Sequence, residues 1–146
     1  RVISSLNYPS RPRTLAPEAD EPIRVLRERA EATQTLAALQ KAGVPFAFGS
    51  GGLKEPKDFV KNAGKAVREG LPADAAIRAL TIDAARIAGV GERLGSIEKG
   101  KIANLVVTDG DLFDDKTKIK HVFVDGRLVE IEEPPAQRPA QRGSVQ

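Results

Sequence analysis

The chain has 146 residues, 40% of them hydrophobic and 29% charged, with a formal net charge of +3. Those proportions suit a soluble globular polypeptide of one ordinary domain, and no apolar run approaches the ~20 residues that a membrane-crossing helix needs. The positive surplus is not gathered into a stripe, because Arg1, Arg11, Arg138 and Arg142 lie near the ends and the other cations alternate with Asp and Glu. With aromatic residues at 4% there is no stacking platform either, so no nucleic-acid partner is expected. There is no Cys, hence no disulfide framework and no thiolate, and the compartment stays open. Arg1–Ser5 holds no apolar leader. There is no Met, so an intact primary translation product is not expected: removal of an initiator Met and excision from a longer chain explain this equally well.

In chain order, Arg1–Leu6 reads as a short buried strand. A stiff loop from Asn7 to Pro22 follows, carrying Pro9, Pro12, Pro17 and Pro22. A helix is expected from an Asp20 N-cap, with Pro22 in its first turn and Ile23, Leu26, Ala30 and Ala37 near helical spacing, stopping at Gly43. Glu28 and Glu31 among Arg24, Arg27 and Arg29 read as its wet face. Val44–Phe48 is an apolar run of strand length, succeeded by Gly49-Ser50-Gly51-Gly52.

A second helix is expected over Pro56–Glu69, with Phe59, Val60, Ala63 and Val67 on one face. A third starts at Pro72, carries Ala76, Ile77 and Leu80, and yields at Thr81 to a short helix ending at Gly89. Strand, helix, strand, helix is the order of parallel α/β units. Beyond Gly89 the pattern changes. Leu94–Ile97 and Ala103–Thr108 read as strands, with a turn at Lys99-Gly100, and Ile119–Val124 and Leu128–Ile131 flank the hairpin signal Asp125-Gly126. Residues 132–146, rich in Pro, Gln and Arg, read as a flexible tail.

Three stretches carry a family resemblance. Gly95-Ser96-Ile97-Glu98-Lys99-Gly100-Lys101-Ile102-Ala103-Asn104-Leu105-Val106-Val107 resembles the amidohydrolase signature GxIxxGxxADLVV. Val122-Phe123-Val124-Asp125-Gly126 looks like the closing VxVxG hairpin of the same proteins, and Gly70-Leu71-Pro72 through Gly89 is similar to the helix pair that precedes them. The nearest-looking branch is the imidazolonepropionase-like and prolidase-like group. The resemblance implies an α/β fold: the C-terminal portion of a (β/α)8 TIM-type barrel over residues 1–90, then antiparallel strands of a small β-sandwich over 91–131. Val2–Leu6 would lie near the seventh barrel strand and Val44–Phe48 would be the eighth.

The resemblance also implies metal-assisted hydrolysis of C–N bonds in cyclic amides or peptides, with a divalent ion such as zinc in an intact enzyme. The family's ligands, an HxH pair and residues after later strands, would all precede Arg1. The remainder of the amidohydrolase chain or a second subunit is therefore the expected partner, beside a small-molecule substrate. No metal ligand is expected in this chain: its single histidine, His121, alternates along a strand and matches no ligand position. The family's carboxylate after strand eight, usually in GTDS or GSDS, has Gly51 in its place, so no catalytic residue is assigned and the chain alone is expected to be inactive.

Two other readings stay open. One is a degenerate, non-catalytic module that binds a ligand or holds a partner domain. The other is anion binding by the backbone at Ser50, Gly51 and Gly52, ahead of a helix N-terminus, although the spacing of a phosphate-binding P-loop is absent. Gly89–Gly95 does not match a dinucleotide loop. Asp109, Asp111, Asp114 and Asp115 lack the EF-hand spacing and read as a solvated loop.

Overall fold

The computed structural model describes residues 1–131, so the expected tail, 132–146, lies outside the described residues. The elements run β1 (Val2–Ser5), α1 (Ile23–Lys41), β2 (Phe46–Gly49), α2 (Asp58–Arg68), α3 (Ala73–Leu80), α4 (Ile82–Ile87), β3 (Leu105–Thr108), β4 (Ile119–Val124) and β5 (Arg127–Val129). They form two separate sheets. β1 and β2 pair in parallel, Val2 opposite Phe46 and Ser5 opposite Gly49, while β3, β4 and β5 form an antiparallel meander. The change of pattern beyond Gly89 thus marks a real change from parallel to antiparallel pairing.

The core collects around β2, whose Phe46, Ala47 and Phe48 are all buried, as a strand covered on both faces must be. Leu36 and Ala37 of α1, Ala63 and Ala66 of α2, and Ala75, Ala76 and Ala79 of α3 pack with Phe46 and Phe48. Alanine is the usual contact residue, which lets the helices approach closely and suits a chain poor in aromatics. α1 ends in a Schellman pair, Gly43 N–H to the Gln40 carbonyl (3.1 Å) and Val44 N–H to that of Leu39 (3.0 Å). The same bond pair closes α2 at Gly70 and α4 at Gly89.

Several local expectations change. β1 is not buried: Ile3 is 67% exposed, and only Leu6, just beyond the strand, reaches the core. Among the described residues β1 has a partner on one edge only, so nothing covers its outer side. α1 is capped at Pro22 rather than Asp20 and begins at Ile23, with no side-chain cap. Its inner face differs in part: Ala37 is buried as its spacing suggests, but Ile23, Leu26 and Ala30 are exposed and the covered stripe also takes in Val25, Arg29, Ala32 and Leu36.

Leu94–Ser96 is a bend and Ile97 has no regular structure, so no strand forms there. Gly95 holds φ +93°, a left-handed value incompatible with a strand, and lies so close to α4 that a Cβ would come within 2.8 Å of Ile82 Cα and of Ala85 Cβ. The Lys99-Gly100 turn forms as expected. So does the hairpin turn, with positive φ at both Asp125 (51°) and Gly126 (77°), the type I′ pattern. Ala103 and Asn104 brace that turn instead of entering β3: the Ala103 carbonyl accepts the Gly126 N–H (2.9 Å) and Asn104 Oδ1 accepts the Asp125 N–H (2.8 Å).

Candidate functional site

In a parallel sheet the strand C-terminal ends and the loops after them are where ligands are usually met. Here those ends belong to β1 and β2, and they bring Ser5 and Asn7 beside the loop Gly49–Gly52. Leu6 N–H donates to the Gly49 carbonyl (3.0 Å), continuing the ladder one residue past the strands. Ser5 Oγ donates to the Gly51 carbonyl (2.6 Å) and accepts the Asn7 N–H (3.1 Å), so one hydroxyl ties the two strand ends together. Asn62 of α2 adds a further tie, its Nδ2 donating to the Leu6 carbonyl (3.0 Å). The loop itself closes as a tight turn through Leu53 N–H to the Ser50 carbonyl (3.1 Å).

The three glycines of this loop differ. A Cβ at Gly49 would press on Ile3 Cγ2 at 2.9 Å. At Gly52, with φ +82°, it would meet the Asn7 carboxamide at 2.7 Å. At Gly51 nothing lies within 4 Å, and its φ is outside the left-handed region. Packing therefore does not require glycine at position 51, the position that the resemblance matches to the family's carboxylate. Ser50, Gly51 and Gly52 do lie together at the strand end. However, α2 begins only at Asp58, after five intervening residues, and the charges there balance, Lys54 and Lys57 against Glu55 and Asp58.

Tyr8 lies at the foot of this site and packs against the core; its hydroxyl is buried without a hydrogen-bond partner among the described residues. Burial pushes its pKa up from 10.0 to about 12, so the group stays a neutral phenol throughout the ordinary pH range.

Donors for a metal ion are scarce. Among the described residues no group of three or more His, Cys, Asp or Glu is arranged to hold one. The strand-end loop offers hydroxyls and a carboxamide, which do not fit the nitrogen and carboxylate set that zinc prefers. His121 sits on β4 opposite Val107 and beside Phe123, exposed and far in sequence from the parallel strands. In the acidic loop the aspartates serve local turns. Asp109 accepts the Lys118 N–H (2.8 Å), Asp111 that of Phe113 (2.8 Å) and Asp114 that of Lys116 (2.9 Å).

A parallel strand–helix unit with its loops at one sheet end, joined to an antiparallel meander, defines a mixed α/β protein of the kind that grafts its chemistry onto strand-end loops. Residues 15–129 match the amidohydrolase family, and the chain belongs to it. Over 66 residues it is 42% identical to an N-substituted formamide deformylase of Arthrobacter pascens, a match covering 41% of this chain and 12% of that protein. Its fold is similar to that of an amidohydrolase from Thermotoga maritima MSB8, at 35% identity and a TM-score of 0.65, over 74% of this chain and 28% of that one. It is also similar to a Xaa-Pro dipeptidase solved with methionine in its active site, at 29% identity and a TM-score of 0.59, over 75% and 29% of the two chains. The chain thus spans less than a third of the length of each of these relatives. No helix among the described residues is long and apolar enough to cross a membrane.

Proposed function

We propose that this chain supplies the last strand–helix units of an amidohydrolase barrel (residues 1–90) and part of the adjoining β-sandwich (91–131). The whole protein would be a metal-dependent hydrolase of C–N bonds in cyclic amides or peptides. The family match across residues 15–129 supports the assignment of class, and the names of two relatives, a formamide deformylase and a Xaa-Pro dipeptidase, support the bond type. One observation carries the reading: the family match spans both the parallel strand–helix unit and the antiparallel meander, residues 15–129. Because the described residues contain no fitting metal donors, the ligands would come from the remainder of the amidohydrolase chain or from a second subunit, and no catalytic step is assigned to this chain's own residues.

The open position at Gly51 favours a second reading. Position 51 has room for a carboxylate and carries none, which is what a degenerate module that binds a ligand or scaffolds a partner would show. Anion binding at Ser50, Gly51 and Gly52 is a weaker reading, because the helix start that would assist it is five residues away, and the helix-end field falls off within a turn. Elemental analysis and hydrolysis of a panel of cyclic amides and prolyl dipeptides separate the first two. The first expects zinc and turnover in the full-length protein, and neither in residues 1–146 alone. One tightly held zinc per isolated chain would overturn it, and a full-length protein with neither zinc nor turnover would favour the scaffold. A phosphate titration followed at the Gly51 and Gly52 amides tests the third.

A further inference from the structure

The loop between β1 and α1 leaves the strand-end site at Asn7 and returns to α1 at Pro22, and a charged cluster folds it back on itself. Arg11 Nη2 donates to the carbonyls of Ala16 (2.8 Å), Pro17 (3.1 Å) and Ala19 (2.9 Å). Its Nη1 lies 3.5 Å from Glu21 Oε2. Glu21 in turn accepts two bonds from Arg29 of α1, at 2.6 and 3.2 Å, in the fork geometry that makes Arg–carboxylate pairs strong. The Glu21 side chain is only 6% exposed and Arg29 Nε is buried with no acceptor, while the rest of Arg29 and Arg11 stays partly in solvent, at 25% and 39% exposure. Among the described residues the charged groups facing Glu21 are Arg11 from the loop and Arg29 from the helix.

We propose that Glu21 is the release point of a clasp: its negative charge holds the 7–22 segment against α1, and losing that charge frees the segment while the helical core stays folded. Without the carboxylate, Arg11 and Arg29 face each other as like charges, and Arg29 is left partly buried and unpaired. The loop's remaining ties are internal to it. The Arg11 bonds to Ala16, Pro17 and Ala19 and the two turns, Leu15 N–H to the Pro12 carbonyl and Ala19 N–H to that of Ala16, join the loop to itself and not to α1, and none of residues 9–20 belongs to the core. Asn7 and Tyr8, which flank the candidate site, are the first residues such a release would disturb. That consequence rests on the functional reading above. The clasp does not, and the probes below read the clasp alone.

The sign of the pH effect follows from the pairing. The hydrogen bonds from Arg29, then the charges of Arg29 and Arg11, hold the Glu21 carboxyl below its ordinary 4.5. The clasp is therefore fully made above that value and lost as pH falls through the lower folded one.

Two probes follow the loop in residues 1–146. Trypsin can cut after Arg13 but not after Arg11, which Pro12 follows. Tyr8 is the one tyrosine in a chain without tryptophan, so its quenching by acrylamide reports locally. Glu21→Gln and Arg11→Gln are expected to raise the cleavage rate at Arg13 by roughly tenfold or more at neutral pH, as local opening does, and to expose Tyr8 to quencher. Far-ultraviolet circular dichroism should stay unchanged in both. Arg24→Gln, which breaks only the exposed pair with Glu28, should behave as wild type. Wild-type Tyr8 should become quenchable below pH 4.5, with no such transition in Glu21→Gln. Should Glu21→Gln fail to fold, Arg11→Gln decides alone. Wild-type cleavage and quenching in a folded Arg11→Gln or Glu21→Gln would overturn the clasp.

Discussion

At Gly52 the left-handed backbone and the overlying Asn7 carboxamide exclude a side chain, whereas Gly51, one residue earlier, meets nothing. The two positions should therefore respond oppositely to the same substitution. Gly52→Asp is expected to lower stability by roughly 2 kcal/mol, combining backbone strain with displacement of Asn7. Gly51→Asp should stay within about 0.5 kcal/mol of wild type, as an open surface site does. Urea melts of the two variants check both. In a full-length protein that contains upstream histidines, Gly51→Asp should also raise metal affinity, and equal affinity would show that position 51 is not the vacated carboxylate site. Tyr8 gives a second residue-level test. Its folded pKa of about 12 exceeds the unfolded 10.0, so between these values the native state keeps a proton that the unfolded state releases. Stability should be indifferent to this group below pH 10, fall as pH rises from 10, and level off above 12. Near-ultraviolet absorbance of the single tyrosine, native against urea-unfolded, reads the two midpoints directly.

At the scale of elements, α1 shows what spacing can and cannot reveal. Its length and its stop at Gly43 follow from propensity and a glycine cap, which are local. Its orientation does not, because the inner stripe passes through Arg29, a residue that hydropathy assigns to solvent and that Glu21 draws inward. Spacing alone finds Ala37 but points to Ile23, Leu26 and Ala30, which are exposed, because hydropathy treats every arginine as wet. Leu36→Ala should accordingly cost about 3 kcal/mol, since Leu36 is 1% exposed, while Leu26→Ala on the outer side should cost about 0.5 kcal/mol. Thermal denaturation of the pair tests the face assignment, and similar losses would contradict it. The site was legible to the same degree. The glycine loop is visible in the sequence, but Ser5, which holds it, and Asn62, which holds the neighbouring strand end at Leu6, act across 46 and 56 residues, a range at which no spacing rule operates. Likewise the apolar Leu94 and Ile97 suggested a strand because the packing of Gly95 on α4 cannot be read from neighbours in sequence.

For the molecule as a whole, the question is what joins the parallel unit to the antiparallel one, since their sheets share no strand. Two contacts do so. Gly95 seats the segment after α4 against Ile82 and Ala85. The connection between β3 and β4 reaches back to α2, where Phe113, 9% exposed, lies on Gly64 and joins the core. A Cβ at Gly64 would stand 3.3 Å from the Phe113 carbonyl oxygen and 3.6 Å from its Cβ, so glycine there permits the close seat. The turns made by Asp111 and Asp114 present Phe113 in this direction, which gives the acidic loop a docking role that its charge alone does not suggest. β3, β4 and β5 keep several large apolar side chains exposed, Val106 and Leu128 each at 57%, so the meander depends on these joints more than on a core of its own. Phe113→Ala should cost about 3 kcal/mol, and the loss should be unevenly spread. Hydrogen exchange is expected to quicken at the β3–β5 amides well before those of β2 and α3, because removing the hook frees the meander while leaving the alanine-lined core packed. Equal acceleration across both sheets would mean that the two units unfold as one, and that Phe113 is an ordinary core residue, not a joint.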